Sequence, residues 1–75
     1  MDRYANRRGN SGVRGYSIGE DYIDVMFSNG AVYRYSYRSA GNAKVEEMKR
    51  LAIAGYGLNS YIKLHANDNY ERRVR

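Results

Sequence analysis

The sequence predicts an α+β domain: a three-stranded antiparallel β-meander followed by two helices packed on one sheet face, in the order β-β-β-α-α. Three observations carry this. Residues 22–28, YIDVMFS, alternate apolar and polar and end at Asn29-Gly30, the strongest short hairpin signal. Residues 31–37, AVYRYSY, alternate again with tyrosine at every second position. From residue 43 onward the apolar spacing switches from two to the helical period.

Each element follows in order. Residues 13–19, VRGYSIG, form a first strand with Arg14, Tyr16 and Ile18 on one side, and Gly19-Glu20-Asp21 supplies turn chemistry. In the second strand Ile23, Val25 and Phe27 share a face, and Tyr22, Asp24 and Met26 share the other. Residues 31–37 return as the third strand. Asn42 is placed to cap a helix over residues 43–54, where Val45, Met48, Leu51 and Ala52 fall at helical spacing. Glu46 and Glu47 sit toward its start and Lys49 and Arg50 nearer its end, as the helix dipole prefers; Gly55 and Gly57 end it. Leu58, Tyr61, Ile62 and His65 mark the apolar stripe of a second helix over residues 58–66. The domain spans residues 13–66, with a basic disordered arm at 1–12 and a basic tail at 67–75.

The register of the hairpin decides what the tyrosines do. A two-residue loop at Asn29-Gly30 opposes Val25 to Arg34 and turns Tyr33, Tyr35 and Tyr37 away from the apolar face. One extra loop residue, with a bulge, puts the tyrosines with Ile23, Val25 and Phe27 instead. The dipeptide favours the tight loop. The residue types favour the bulge, because the tight loop would bury Arg34 unpaired at a cost of several kcal/mol. On that register Tyr33 and Tyr35 are mainly core, and Tyr37 is partly exposed at the strand end.

Seventy-five residues make one domain, with no cysteine for a disulfide or a Cys-based metal site. No apolar run approaches the roughly 18 residues of a membrane span, and the first twelve residues lack a signal-peptide core, so the chain reads as cytoplasmic. Net charge is +5 and the isoelectric point is near 9.7. Ten of the thirteen basic residues are arginine, the side chain whose planar fork matches phosphate and stacks on bases. Arg3, Arg7, Arg8 and Arg14 gather near the N-terminus against Asp2, and Arg34 and Arg38 lie on and after the tyrosine strand. Nine tyrosines among these arginines suit stacking on single-stranded nucleic acid, and equally a protein interface. Tyr22, Tyr37 and Tyr56 are the rings expected to be exposed.

Catalysis finds no support. His65 is the one histidine and has no partner for a metal. Glu20, Asp21 and Asp24 read as a solvated turn rather than a carboxylate pair with a raised pKa. Gly55-Tyr56-Gly57 lacks the lysine, the serine and the preceding strand of a phosphate-binding loop. No cofactor is expected.

The segment GVRGYSIGEDYIDVMFSNGAVYRYSY, then a helix, then GYGLNSYIKLH, resembles the KTSC domain, a small module named for the C-terminus of some lysyl-tRNA synthetases. The match runs over Phe27 to Gly30, over Tyr33 and Tyr35, and over Gly57, Asn59 and Ile62. Where that family commonly continues with Val-Pro, this chain has Arg38-Ser39. The resemblance implies a bacterial or phage-associated module of uncertain function, suspected of binding RNA from its company with a tRNA synthetase. The basic ends and interleaved tyrosines independently give a nucleic-acid-binding module, RNA favoured over DNA, with Arg3, Arg7, Arg8, Arg14, Arg34 and Arg38 on phosphates and Tyr22, Tyr37 and Tyr56 on bases. The alternative is a protein-interaction module, such as a phage or mobile-element accessory protein that binds a host factor. A weak homodimer through the open edge of a three-stranded sheet is a third reading.

Overall fold

Two runs of alternating residues and one helical stripe dominate the sequence, and the same three features dominate the structure. The computed structural model describes residues 1–9 and 12–75. Its elements are β1 (Asp2–Arg3), β2 (Val13–Ile18), β3 (Tyr22–Phe27), β4 (Val32–Ser36), α1 (Tyr37–Ala40), α2 (Asn42–Ala54), α3 (Leu58–Tyr61) continued by a π-helical turn (Ile62–Ala66), and β5 (Arg72–Arg73). The fold is α+β with one antiparallel sheet.

The hairpin carries the bulge. The Phe27 N–H donates to Ala31 O at 2.9 Å and the Gly30 N–H to Phe27 O at 2.9 Å, so the loop has three residues. Gly30 sits at φ +88°, a left-handed conformation that only glycine adopts at no cost. Asn29 contributes its side chain, whose Oδ1 accepts from the Ala31 N–H at 3.0 Å. The register pairs Ile23 with Tyr35, Val25 with Tyr33 and Asp24 with Arg34. A second irregularity between Val13 and Gly15 changes the expected facing of β2. Val13 joins Tyr16 against the core, and Arg14 is exposed rather than aligned with Tyr16 and Ile18.

The three-stranded meander needs correcting. The sheet has five strands in the order β1-β2-β3-β4-β5. The two added strands are two residues long and come from the segments expected to be arm and tail. A two-residue pairing is too short to show a period of two, and each is held by a tyrosine instead. Tyr4 is 3 % exposed, its N–H donates to Arg14 O at 3.0 Å, and its hydroxyl accepts from the Leu58 N–H at 3.3 Å. Tyr70 lies with its ring centroid 4.6 Å from Tyr33 and edge-on to Tyr35 at 6.1 Å. Residues 10 and 11 of the expected disordered arm lie outside the described residues. With β1 and β5 in place, β2 and β4 are covered over part of their length. The new edges are short and arginine-bearing, a form that discourages strand addition from another chain.

Ile23, Val25 and Tyr35 pack with Val45, Met48, Leu51 and Ala52 of α2 and with Leu58, Ile62 and Ala66 in one cluster. Each fully buried aliphatic side chain contributes about 1.5–3 kcal/mol. Asn42 does not cap α2. Ser36 instead forms a capping box with Ser39 that starts α1, and Gly41 leads into α2 with Asn42 as its first residue. At the other end Gly55 stands at φ +83°, and a Cβ there would meet the Ala5 Cβ at 2.6 Å. The last helix departs from its expected stripe. The π turn is wider by one residue, so Ala66 is buried where His65 was expected. His65 is exposed, with its ring 4.8 Å from Tyr61.

Tyr35 gives the fold an alkaline limit. Burial, with Tyr70, Tyr33 and Asp68 nearby, pushes its hydroxyl up to about 12 from the usual 10. The folded state therefore holds this proton more tightly than the unfolded chain. Its contribution is fully present below about pH 10 and is lost as pH rises toward 12. Denaturant midpoints measured from pH 9 to 12 are expected to fall by about 2 kcal/mol equivalent in the wild type, and by less in Tyr35→Phe. An equal fall in both proteins would show that Tyr35 is not the group responsible.

Candidate nucleic-acid interface

The N-terminal segment delivers its arginines to one surface because Tyr4 anchors it between β2 and α3. Past Tyr4 the chain reaches the end of α2. There the Arg7 N–H donates to Gly55 O at 2.7 Å and Arg7 Nε donates to Ala54 O at 2.9 Å. A cation on the final carbonyls of a helix also complements its dipole. The next residue, Arg8, holds its guanidinium carbon 5.3 Å from the centre of the Tyr56 ring. Tyr56 projects between two left-handed glycines, Gly55 and Gly57, and is 41 % exposed.

Two grooves meet on this surface. The larger, about 560 Å³, is lined by Arg3 and Arg14 with Met1, Asp2, Asn6 and Met26 among the others. The smaller, about 90 Å³, is lined by Arg8, Tyr56, Gly57, Asn59 and Ser60. Tyr4 and Asn6 belong to the walls of both, so the two are neighbours. Asp2 is the one acidic residue among these linings. Arg3, Arg8, Arg14 and Tyr56 thus line neighbouring grooves, with Arg7 held beside them at the end of α2.

The other expected contacts lie elsewhere. Arg34 does face away from the core, but its Nε and Nη2 donate to the Asp24 carboxylate at 2.8 and 3.0 Å. That bond raises the pKa of its guanidinium further. The same guanidinium carbon stands 4.0 Å from the centre of the Tyr22 ring. Tyr22 also lies against Gly19, where an added Cβ would fall 2.0 Å from the ring. Arg34 and Tyr22 therefore satisfy each other and Asp24.

Tyr37 is exposed, but its surroundings are acidic. Its hydroxyl donates to Glu46 Oε2 at 2.5 Å, and that bond, with the carboxylates of Asp21 and Glu20 beyond it, raises its pKa. Hydrogen bonds from Lys49 and Tyr37 hold the Glu46 carboxyl below the ordinary carboxylate range. A phosphate approaching the Tyr37 hydroxyl meets the Glu46 carboxylate, and Lys49, whose Nζ lies 5.5 Å from the ring centre, is paired to that carboxylate. Arg38 is exposed next to it on α1, away from the N-terminal arginines.

Ion pairing sharpens the same division. On α2, Lys49 pairs with Glu46 at 2.8 Å and Arg50 with Glu47 at 2.5 Å. The uncompensated positive charge is left chiefly on the arginines of the two chain ends. Asn6, Asn59 and Ser60 are polar lining residues that composition and spacing did not single out for this surface, because none is charged or aromatic. Tyr4, whose ring in the basic arm could have offered an aromatic surface, is buried instead. Among the described residues no three His, Cys, Asp or Glu side chains are placed to hold a metal ion, and no helix is long and apolar enough to cross a membrane. Comparison of the chain with protein-family models, with curated proteins and with solved structures gives no match.

Proposed function

We propose that the chain is a small, non-catalytic nucleic-acid-binding module that takes single-stranded RNA in preference to DNA along its N-terminal arginine surface. The observation that carries this is the placing of Arg3, Arg8, Arg14 and Tyr56 along two neighbouring grooves whose walls hold one acidic residue, Asp2. The arginines bind phosphates and so set affinity and its salt dependence. Tyr56 stacks on an unpaired base. The resemblance to the KTSC domain supports the same reading from a separate direction.

The test is binding to labelled single-stranded RNA, transfer RNA and duplex DNA across a salt series. Affinity is expected to fall steeply with salt. Arg3→Ala, Arg8→Ala and Arg14→Ala are each expected to reduce the logarithmic salt slope by about one, whereas Arg38→Ala leaves it unchanged. Undetectable binding at low salt would sink the proposal.

A protein-interaction module is the second reading, supported by two large exposed aliphatic residues, Ile53 at 68 % and Leu64 at 76 %. A specific protein that co-purifies from nuclease-treated lysate, and is lost on Leu64→Glu, would favour it. The homodimer reading would use the short β1 and β5 edges or the exposed tyrosines, and a monomer by light scattering would remove it.

A further inference from the structure

We infer that the Arg34 guanidinium is a stacking platform on the sheet face turned away from the helices, where it takes one unpaired base rather than a phosphate. The inference rests on the nucleic-acid reading above and extends its surface from the N-terminal grooves onto the sheet.

Ile23, Val25 and Tyr35 belong to the cluster shared with the helices, so Tyr22, Asp24 and Met26, which alternate with them along β3, lie on the other face. The register sets Arg34 opposite Asp24 on that face. Two contacts hold the guanidinium there. Its Nε and Nη2 donate to the Asp24 carboxylate at 2.8 and 3.0 Å, a fork that fixes the orientation of the plane. One side of the plane lies against the Tyr22 ring, with the guanidinium carbon 4.0 Å from the ring centre. The Arg34 side chain is still 24 % exposed. The parts of the guanidinium that these contacts leave are the opposite side of the plane and Nη1.

Fixed charge decides what that plane can take. A phosphate would meet the Asp24 carboxylate, which already matches the charge of Arg34, and Glu71 lies close enough to raise the Arg34 pKa as well. A base carries no charge and is not repelled. Unpaired bases stack on arginine planes as they do on aromatic rings. The ion pair and the Tyr22 contact both stay formed when a base arrives on the far side. The plane is therefore held ready, and binding orders little that is not ordered already.

The platform lies beside the surface that holds the backbone. Met26 lines the larger groove together with Arg3 and Arg14. Arg3 is opposite Gly15 and Gly15 is opposite Met26, so these three share one row across the sheet. Asp24 and Arg34 form the next row on the same face, about 7 Å along the strands. A strand with its phosphates on Arg3 and Arg14 thus brings a neighbouring base within reach of the Arg34 plane. A duplex keeps its bases paired inside and has none to lay there.

The experiment is fluorescence anisotropy across a salt series with two labelled probes of about eight nucleotides, an oligouridylate and a ribose-phosphate oligomer of the same length without bases. Arg34→Lys keeps the charge beside Asp24 and removes the plane. It is expected to weaken the oligouridylate about tenfold, to leave the base-free oligomer unchanged, and to leave the salt slope of both unchanged. Equal binding of the oligouridylate by wild type and Arg34→Lys would overturn the platform and leave the N-terminal phosphate surface standing. An equal loss on both probes would overturn it too, because a disturbed fold or a lost phosphate contact does not depend on the bases. Binding of neither probe by the wild type at low salt would overturn the platform and the nucleic-acid reading together.

Discussion

Tyr4→Ala is expected to destabilise the domain by about 3–5 kcal/mol, the range for deleting a buried aromatic ring. The ring is 3 % exposed and belongs to the same core cluster as Ile23, Leu51 and Leu58. Its removal leaves a cavity, and it also strips the Leu58 N–H of the hydroxyl that accepts from it. A domain of this length has about 4–11 kcal/mol of stability in total, so the variant sits near the edge of folding. Tyr4→Phe keeps the ring and loses only the hydrogen-bond acceptor, with an expected cost of about 1 kcal/mol. Urea unfolding of the three proteins separates these outcomes. A Tyr4→Ala midpoint equal to that of the wild type would show that the N-terminal segment is a loose arm. Binding would then have to be explained without a surface that fixes Arg3 and Arg8.

Tyr4 also marks the limit of what the sequence discloses. Strands β3 and β4 and helix α2 were legible because each is long enough to repeat its own period. The register was legible only in part: Asn29-Gly30 favours the tight loop, the residue types favour the bulged hairpin that puts Arg34 outside and the tyrosines in the core, and the structure has the bulged one. That register also sets Asp24 opposite Arg34, so their ion pair followed from a choice the residues already favoured. Strands β1 and β5 were hidden because a two-residue pairing has no pattern. Both are fixed by single aromatic rings, Tyr4 and Tyr70, whose partners are up to 54 positions away. The π turn was hidden for a related reason: an ideal helical period puts His65 inside, and one wider turn puts Ala66 there instead. At the candidate interface the arginines and Tyr56 stood out by type. Their grouping did not, because it depends on which cations are already neutralised. Arg34, Lys49 and Arg50 resemble Arg3 and Arg14 in sequence and differ only in the carboxylates that the fold brings to them.

That difference is tested most directly at Asp24 and Arg34. Arg34→Ala is expected to cost about 3 kcal/mol, because it leaves a carboxylate in a nearly buried site without its forked partner. The Asp24 side chain is 10 % exposed and that of Arg34 is 24 %. Asp24→Ala is expected to cost less, about 2 kcal/mol, since the freed guanidinium still reaches water and keeps its contact with the Tyr22 ring. The double variant is expected to be less destabilised than the sum of the two, with a coupling of about 2 kcal/mol in a double-mutant cycle. The asymmetry follows from burial, because the more enclosed charge loses more when it is left alone. Neither variant is expected to change the salt slope of RNA binding, since neither residue lines the grooves around Tyr4. A coupling near zero would mean that Arg34 is not held by Asp24 in solution. Its guanidinium would then count among the free cations, and the open face of the sheet, with Tyr22 beside it, would compete with the N-terminal surface as the place where phosphate binds.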